Sequence, residues 1–437
     1  MVPDAAIYLL VCFAAGATLF YLFHPNRRRI PIRSSSFLPE KAPNHSLTPA
    51  NPTPPPPAPA PFKLYTPAEI ASLGRFPDYA ALTGVPLPKP YHEFNIATAK
   101  PRPYRPFRWA YHQTMALRKL EPDWWLELES TYTARLQQRR NLHEQHGKRI
   151  LDSLPDTADG KLSLACREVM ELVVQFLCAR YPRYFSLNPE KTVLRNGILD
   201  REFVIDEVDP LMLVFENVPE DFAIVMPDER VGGRYVFMAG VICSSIGWDL
   251  GTKIGKCLGD IHGVVPDYKE KMGMSMDRYF SKMAPDKPIQ RGSWGIEIGE
   301  PLYMLDGPEL DALRGTQDPN LTEDELTLRV DWQTLRRLPL SGGIVFNYKA
   351  LFTPLKEFED ELGIPAIVEK VVKEGNRKII KYKGTWHAEH VAVPMLERMR
   401  RRQVETGLWE EGREVKTLHE APFFAGWEEK WHRQQGF

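Results

Sequence analysis

The sequence predicts an α+β fold: an antiparallel sheet with flanking helices, preceded by one apolar N-terminal helix. Three observations carry this. Short apolar runs separated by turn residues recur between 203 and 242, stripes at helical spacing lie on either side of them, and residues 5–23 hold no charged side chain. Period-2 runs joined by tight turns favour antiparallel pairing, whereas a doubly wound parallel sheet needs a regular strand–helix alternation that is absent here.

Residues 5–23 read AAIYLLVCFAAGATLFYLF, a 19-residue run that rises roughly 28 Å as a helix, close to the hydrocarbon thickness of a bilayer. Arg27-Arg28-Arg29 follow at once. The expectation is a transmembrane anchor with its basic flank over 1–29. The positive-inside rule then places the rest of the chain on the cytoplasmic side of a single-pass membrane protein, for example on the endoplasmic reticulum. Residues 30–63, with NPTPPPPAPAP at 51–61, read as a disordered Pro-rich stalk. A large functional domain is expected over 64–415, followed by an aromatic tail over 416–437 that either folds back or covers a partner.

Within the domain, 123–147 and 162–180 read as helices, the second stopped by Pro182. FVIDE at 203–207, LMLVFE at 211–216, DFAIVM at 221–226 and RYVFMAGVI at 234–242 read as strands, with Gly232-Gly233 as a hairpin turn. GIVFNYKALF at 343–352 is a further strand, and IIKYKG at 379–384 another. Helices are expected at 356–373 and 394–406.

Composition excludes several classes. Lys plus Arg is 56 against 57 for Asp plus Glu, which gives no cationic surface for nucleic acid. Five cysteines in 437 residues, with no C-x-x-C pair, form no disulfide framework. No dinucleotide fingerprint, phosphate-binding loop, G-x-S-x-G elbow or H-E-x-x-H motif occurs.

Candidate chemistry gathers in a few places, each with a structural alternative. Gly247, Gly251, Gly255 and Gly259 recur every four residues, which suits close backbone approach to a flat ligand or plain turns. His262, set between Ile261 and Gly263, is either a ligand to iron or a structural imidazole. His143/His146 and His387/His390 lack the spacing and third ligand of a zinc site. Arg291, Arg329, Arg336 and Arg337 suit carboxylate groups or internal ion pairs. Glu220-Asp221 read as an acid pair or as a turn before a strand.

The order and spacing of several segments resemble one family. PFRWAYHQTMALRKLEPDWWLELESTY lies at 106–132, VPEDFAIVMPD at 218–228 and GWDLGTKIGKCLGDIHGVVPDY at 247–268. RGSW follows at 291–294 and LRVDWQTLRRLPLSGGIVF at 328–346. Together, over 104–405, they resemble the haem-binding alpha subunit of the heme-dependent oxidative N-demethylases and their fungal relatives. That resemblance implies a PAS-like antiparallel sheet holding heme b, with His262 as the axial iron ligand. It assigns Trp248, Lys256, Arg291, Trp294, Arg329, Arg336 and Arg337 to the cofactor, and Glu220 and Asp221 to catalysis. It implies oxidative N-demethylation of a small amine with O₂, releasing formaldehyde. Electrons would come from a separate reductase carrying flavin and an iron–sulfur centre. A haem sensor or electron carrier without turnover, and a haem-free scaffold, are the alternatives. The chain departs from the family pattern at Val264, where a proline is usual, at Ser293 for asparagine, at Asp331 for glutamate and at Trp332 for arginine.

Overall fold

The computed structural model describes residues 62–436 apart from 113 and 158. A seven-stranded antiparallel sheet organises them: β1 (Arg118–Lys119), β2 (Leu151–Ser153), β6 (Asp221–Asp228), β7 (Arg234–Val241), β8 (Ile289–Ile298), β9 (Leu326–Arg337) and β10 (Ile344–Pro354), in the order β1-β8-β9-β10-β6-β7-β2. A small second sheet joins β3 (Phe185–Leu187), β4 (Val193–Asn196) and β5 (Arg201–Val204). The fold is thus α+β with a large antiparallel sheet and flanking helices, as the sequence predicts.

Strand alternation gives the large sheet two unlike faces. On the front lie Ala223, Val225, Ile289, Leu335, Ile344 and Tyr348, covered by the segment that carries Leu250, Leu258, Tyr268, Met272 and Phe280. On the back, Trp294, Ile296, Leu328, Val330 and Trp332 pack under helices Ile364–Glu374 and Trp386–Glu405. Phe222, Ile224 and Val345, also on the back, join helices Tyr132–His146, Lys161–Arg180 and Pro210–Asn217.

Two expected strands are helices. Leu211–Glu216 belong to helix Pro210–Asn217, because Asp209 accepts hydrogen bonds from the Leu211 and Met212 amides and Pro210 opens the first turn. These cap signals, with the helix formers Leu, Met and Glu, outweigh the β-formers Val and Phe. Residues 379–384 belong to helix Arg377–Lys383, capped by the Asn376 side chain and ended by Gly384 at φ 65°. The helix expected at 123–147 begins at Tyr132, after a 3-10 turn over Pro122–Trp124. The helix expected at 356–373 divides into a 3-10 turn, Leu355–Asp360, and helix Ile364–Glu374. The one expected at 394–406 starts a full two turns earlier, at Trp386, with Pro394 inside it. FVIDE is β5 followed by a 3-10 turn over Ile205–Glu207.

The expected membrane localisation is corrected. Among the described residues no helix is long and apolar enough to cross a membrane. The anchor read at 5–23 and the stalk read at 30–63 lie outside the described residues, apart from the stalk's last two positions.

The aromatic tail folds back. Phe424 is buried in the back-face core. Trp431, on helix Trp427–Gln435, donates from Nε1 to the Lys100 carbonyl at 2.8 Å.

Candidate functional site

The front face gathers the chemistry. His262 ends the short helix Leu258–Ile261, its own amide closing the last turn on the Leu258 carbonyl. Its Nδ1 lies 2.8 Å from the Leu258 carbonyl oxygen. A carbonyl only accepts, so that nitrogen carries the proton, and the lone pair falls on Nε2. Nε2 has no partner among the described residues. Tyr268 stacks on the ring, with centroids 5.2 Å apart and planes 13° from parallel. Burial lowers the imidazole pKa, opposed by the bond to Leu258 and reinforced by the charges of Arg291 and Lys253. The ring is therefore neutral at pH 7. It is half-buried, with Gly263 and Val264 exposed beside it, so it sits at the rim of an apolar face and not within a sealed cavity.

Arg291 projects from β8 on the same face, opposite Gln333 of β9. Its Nε is buried without a partner, and burial together with Arg108 lowers its pKa. Lys383, at the end of helix Arg377–Lys383, reaches Ser293 Oγ at 2.8 Å. Lost hydration, followed by the charge of Arg291, pushes its ammonium down to about 8. Arg108 donates to Thr114 Oγ1 at 2.6 Å. None of these three cations forms an ion pair among the described residues. The acid nearest to them in register, Asp331, is committed to Arg329 at 2.9 Å.

A neutral imidazole with a free nitrogen thus adjoins an apolar wall and a group of cations lacking anions. Half-buried Trp248, Ile261, Val265 and Phe346 edge that wall. This donor set fits a flat apolar group that carries carboxylates and an iron needing one protein nitrogen. Lys383 and Arg108 were missed in the sequence. Neither sits in a motif, and only the packing of helix Arg377–Lys383 and of segment 104–111 along β8 brings them to Arg291.

The other sequence candidates are placed elsewhere or already used. Arg329 bridges Asp331, the Pro301 carbonyl at 2.8 Å and the Ser244 carbonyl at 2.5 Å. Arg337 is consumed by the carbonyls of Met283, Gly342 and Phe280 and by the Tyr235 hydroxyl. Arg336 and Trp294 face the back of the sheet, so the structure does not bring them to His262. Trp294 packs on Phe107 at 4.9 Å. Lys256 is exposed in a turn, where its carbonyl accepts from the Phe237 amide.

Glu220 and Asp221 are both enclosed. Asp221 pairs with Arg139 at 2.6 Å and accepts from the Cys243 and Ser244 amides. Burial pushes Glu220 up to about 7, and one of its oxygens takes the Glu127 amide. In the glycine series, Gly247 and Gly255 have φ of 75° and 80°, turn geometry that glycine adopts at no steric cost. Nδ1 of His387 meets the Gly384 carbonyl and Nε2 of His390 the Asp318 carbonyl, so that pair is tied into the fold. Among the described residues no group of three His, Cys, Asp or Glu side chains is set to hold a metal ion.

The departure at Trp332 is absorbed by the back-face core, where its ring stacks on Tyr104 at a centroid distance of 3.7 Å. Comparison with family models matches residues 116–393 to "Haem-dependent oxidative N-demethylase, alpha subunit-like". The match takes in well over half of the chain, and the chain belongs to that family. The family's name describes a haem-dependent activity, and an alpha subunit implies a partner subunit.

Proposed function

We propose that this chain is the haem-binding subunit of an oxidative N-demethylase, and that His262 Nε2 is the nitrogen that would hold the iron. The observation that carries the reading is the pairing of that free nitrogen with the unpaired cations on one face. In this reading the domain is PAS-like: the five inner strands, counted along the chain, run in the order 2-1-5-4-3.

Each group has a task. The Leu258 carbonyl holds the His262 tautomer, and Tyr268 holds the ring plane. Arg291, Lys383 and Arg108 take the negative charge of the porphyrin carboxylates. Trp248, Val265 and Phe346 keep water from the apolar part of the face. Bound haem would supply reductive activation of O₂ and oxidation of the carbon next to an amine nitrogen, whose product breaks down to the shorter amine and formaldehyde. Electrons come from the partner subunit, a reductase with flavin and an iron–sulfur centre, since the chain has no nucleotide-binding motif of its own. Glu220 and Asp221 hold the loops around β6 and take no part in catalysis.

The test is the absorption spectrum of the full chain after haem loading. A Soret band that is lost or shifted in His262→Ala, together with weaker retention in Arg291→Gln, supports the reading. Identical spectra for parent and His262→Ala would overturn the ligand assignment. Formaldehyde release from an N-methyl amine, driven by a reductant, separates the enzyme from a sensor or carrier.

A further inference from the structure

The back of the sheet holds a second feature that the reading above does not use. A narrow cleft, open to solvent on one side, lies between helix Lys161–Arg180, the strap 85–88 and segment 120–125. Arg336 lies at its base. The residue is 8% exposed, forms no hydrogen bond or ion pair among the described residues, and lines the cleft. Its guanidinium lies 4.3 Å from the Trp125 ring centroid. Loss of hydration is the one influence on its pKa, which falls to about 10, and no carboxylate offsets it.

The surrounding polar groups are committed elsewhere. Trp125 Nε1 donates to Asn347 at 2.8 Å, the Tyr79 hydroxyl to Glu171 at 2.7 Å, and Gln175 to the Pro77 carbonyl at 2.8 Å. Glu168, one turn along the same helix, accepts the Leu340 and Ser341 amides. The remaining lining is apolar: Val85, Pro86, Leu120, Leu172 and Phe176 among it. Leu87, at the mouth, is 50% exposed.

A buried cation without a counter-ion is costly, and a guanidinium fork matches a carboxylate with two parallel hydrogen bonds. We propose that the Arg336 cleft binds a small organic monocarboxylate, its charged end on the guanidinium and its apolar body between the 85–88 strap and Phe176. This site lies on the opposite face of β9 from Leu335 and the His262 rim, so it is independent of the haem reading.

The test is calorimetric titration of the full chain with propionate, with 1-propanol and propylamine as charge controls. The expected result is saturable binding of the carboxylate, one molecule per chain, and none of the amine. Arg336→Met should weaken it by at least about tenfold, and Arg336→Lys by less. Leu87→Trp narrows the mouth at an exposed position and should weaken binding with the melting temperature unchanged, which decides the matter if Arg336→Met does not fold. His262→Ala should bind as the parent does. No saturation by roughly 10 mM, or equal binding of the alcohol, or Leu87→Trp binding like the parent, would each overturn the proposal.

Discussion

The His262 imidazole donates from Nδ1 to the carbonyl oxygen of Leu258, four residues earlier and 2.8 Å away. One nitrogen is thereby committed to the fold and the other is left as a base. The same carbonyl also accepts the His262 amide at 3.1 Å, so one acceptor fixes both the helix end and the tautomer of the ring.

The first prediction concerns the cations near that ring. Lys383→Met should weaken haem retention while stabilising the haem-free protein by about 1 kcal/mol, after discounting for partial exposure. The folded-state pKa of Lys383 is lowered from 10.5 to about 8, so between those values the unfolded chain binds more protons. Parent stability should therefore rise with pH through that window, and the variant's should not. Urea titrations of the haem-free protein from pH 7 to 10 read the difference; parallel curves would refute it.

Glu220 works with the opposite sign. Its folded-state pKa is raised from 4.5 to about 7 by burial, so the folded protein holds a proton that the unfolded chain releases. Parent stability should fall as pH rises from 4.5 to 7, by up to about 3 kcal/mol. Glu220→Gln should remove that slope and melt higher than the parent at pH 8. Thermal melts across the window settle it, and a variant that melts lower at pH 8 contradicts the assignment.

Arg105 and Glu361 form a two-pronged ion pair at 2.6 Å in both contacts, with side chains 1% and 0% exposed. Lys430 adds a third contact at 3.1 Å and ties the C-terminal helix to the same carboxylate. Glu361→Gln strands the buried Arg105, while Lys430 keeps Asp360 at 2.6 Å, and should cost about 3–5 kcal/mol in denaturant. A loss below about 1 kcal/mol would mean that the pair is relieved by water or by movement of the tail.

Asp209 caps helix Pro210–Asn217 with two amide contacts. Asp209→Ala should cost about 1 kcal/mol, with Asp209→Ser close to the parent. Equal losses in both variants would show that the helix is held by packing alone.

The sheet was legible where strands alternate and turns are tight. β6, β7 and β10 read directly from DFAIVM, RYVFMAGVI and GIVFNYKALF. β9 did not, because Arg329, Asp331, Arg336 and Arg337 interrupt its apolar pattern with charge, and the three arginines are satisfied or stacked by residues far along the chain. The stretch 211–216 misled for a different reason: a short unbroken apolar run has no period that separates strand from helix, and the deciding signal is a two-residue cap placed just before it.

The sequence by itself determined the fold class, the central strands and the family through the order of its motifs, and it offered His262 as a candidate from its apolar neighbours. These are local properties, written in periodicity and in short runs. Only the tertiary structure decided which arginines share a face, that Arg336 and Arg337 part to opposite sides of the sheet, and that Lys383 joins Arg291. Side-chain direction alternates along a strand, and partners meet through register and packing between segments distant in sequence, so no spacing along the chain encodes them.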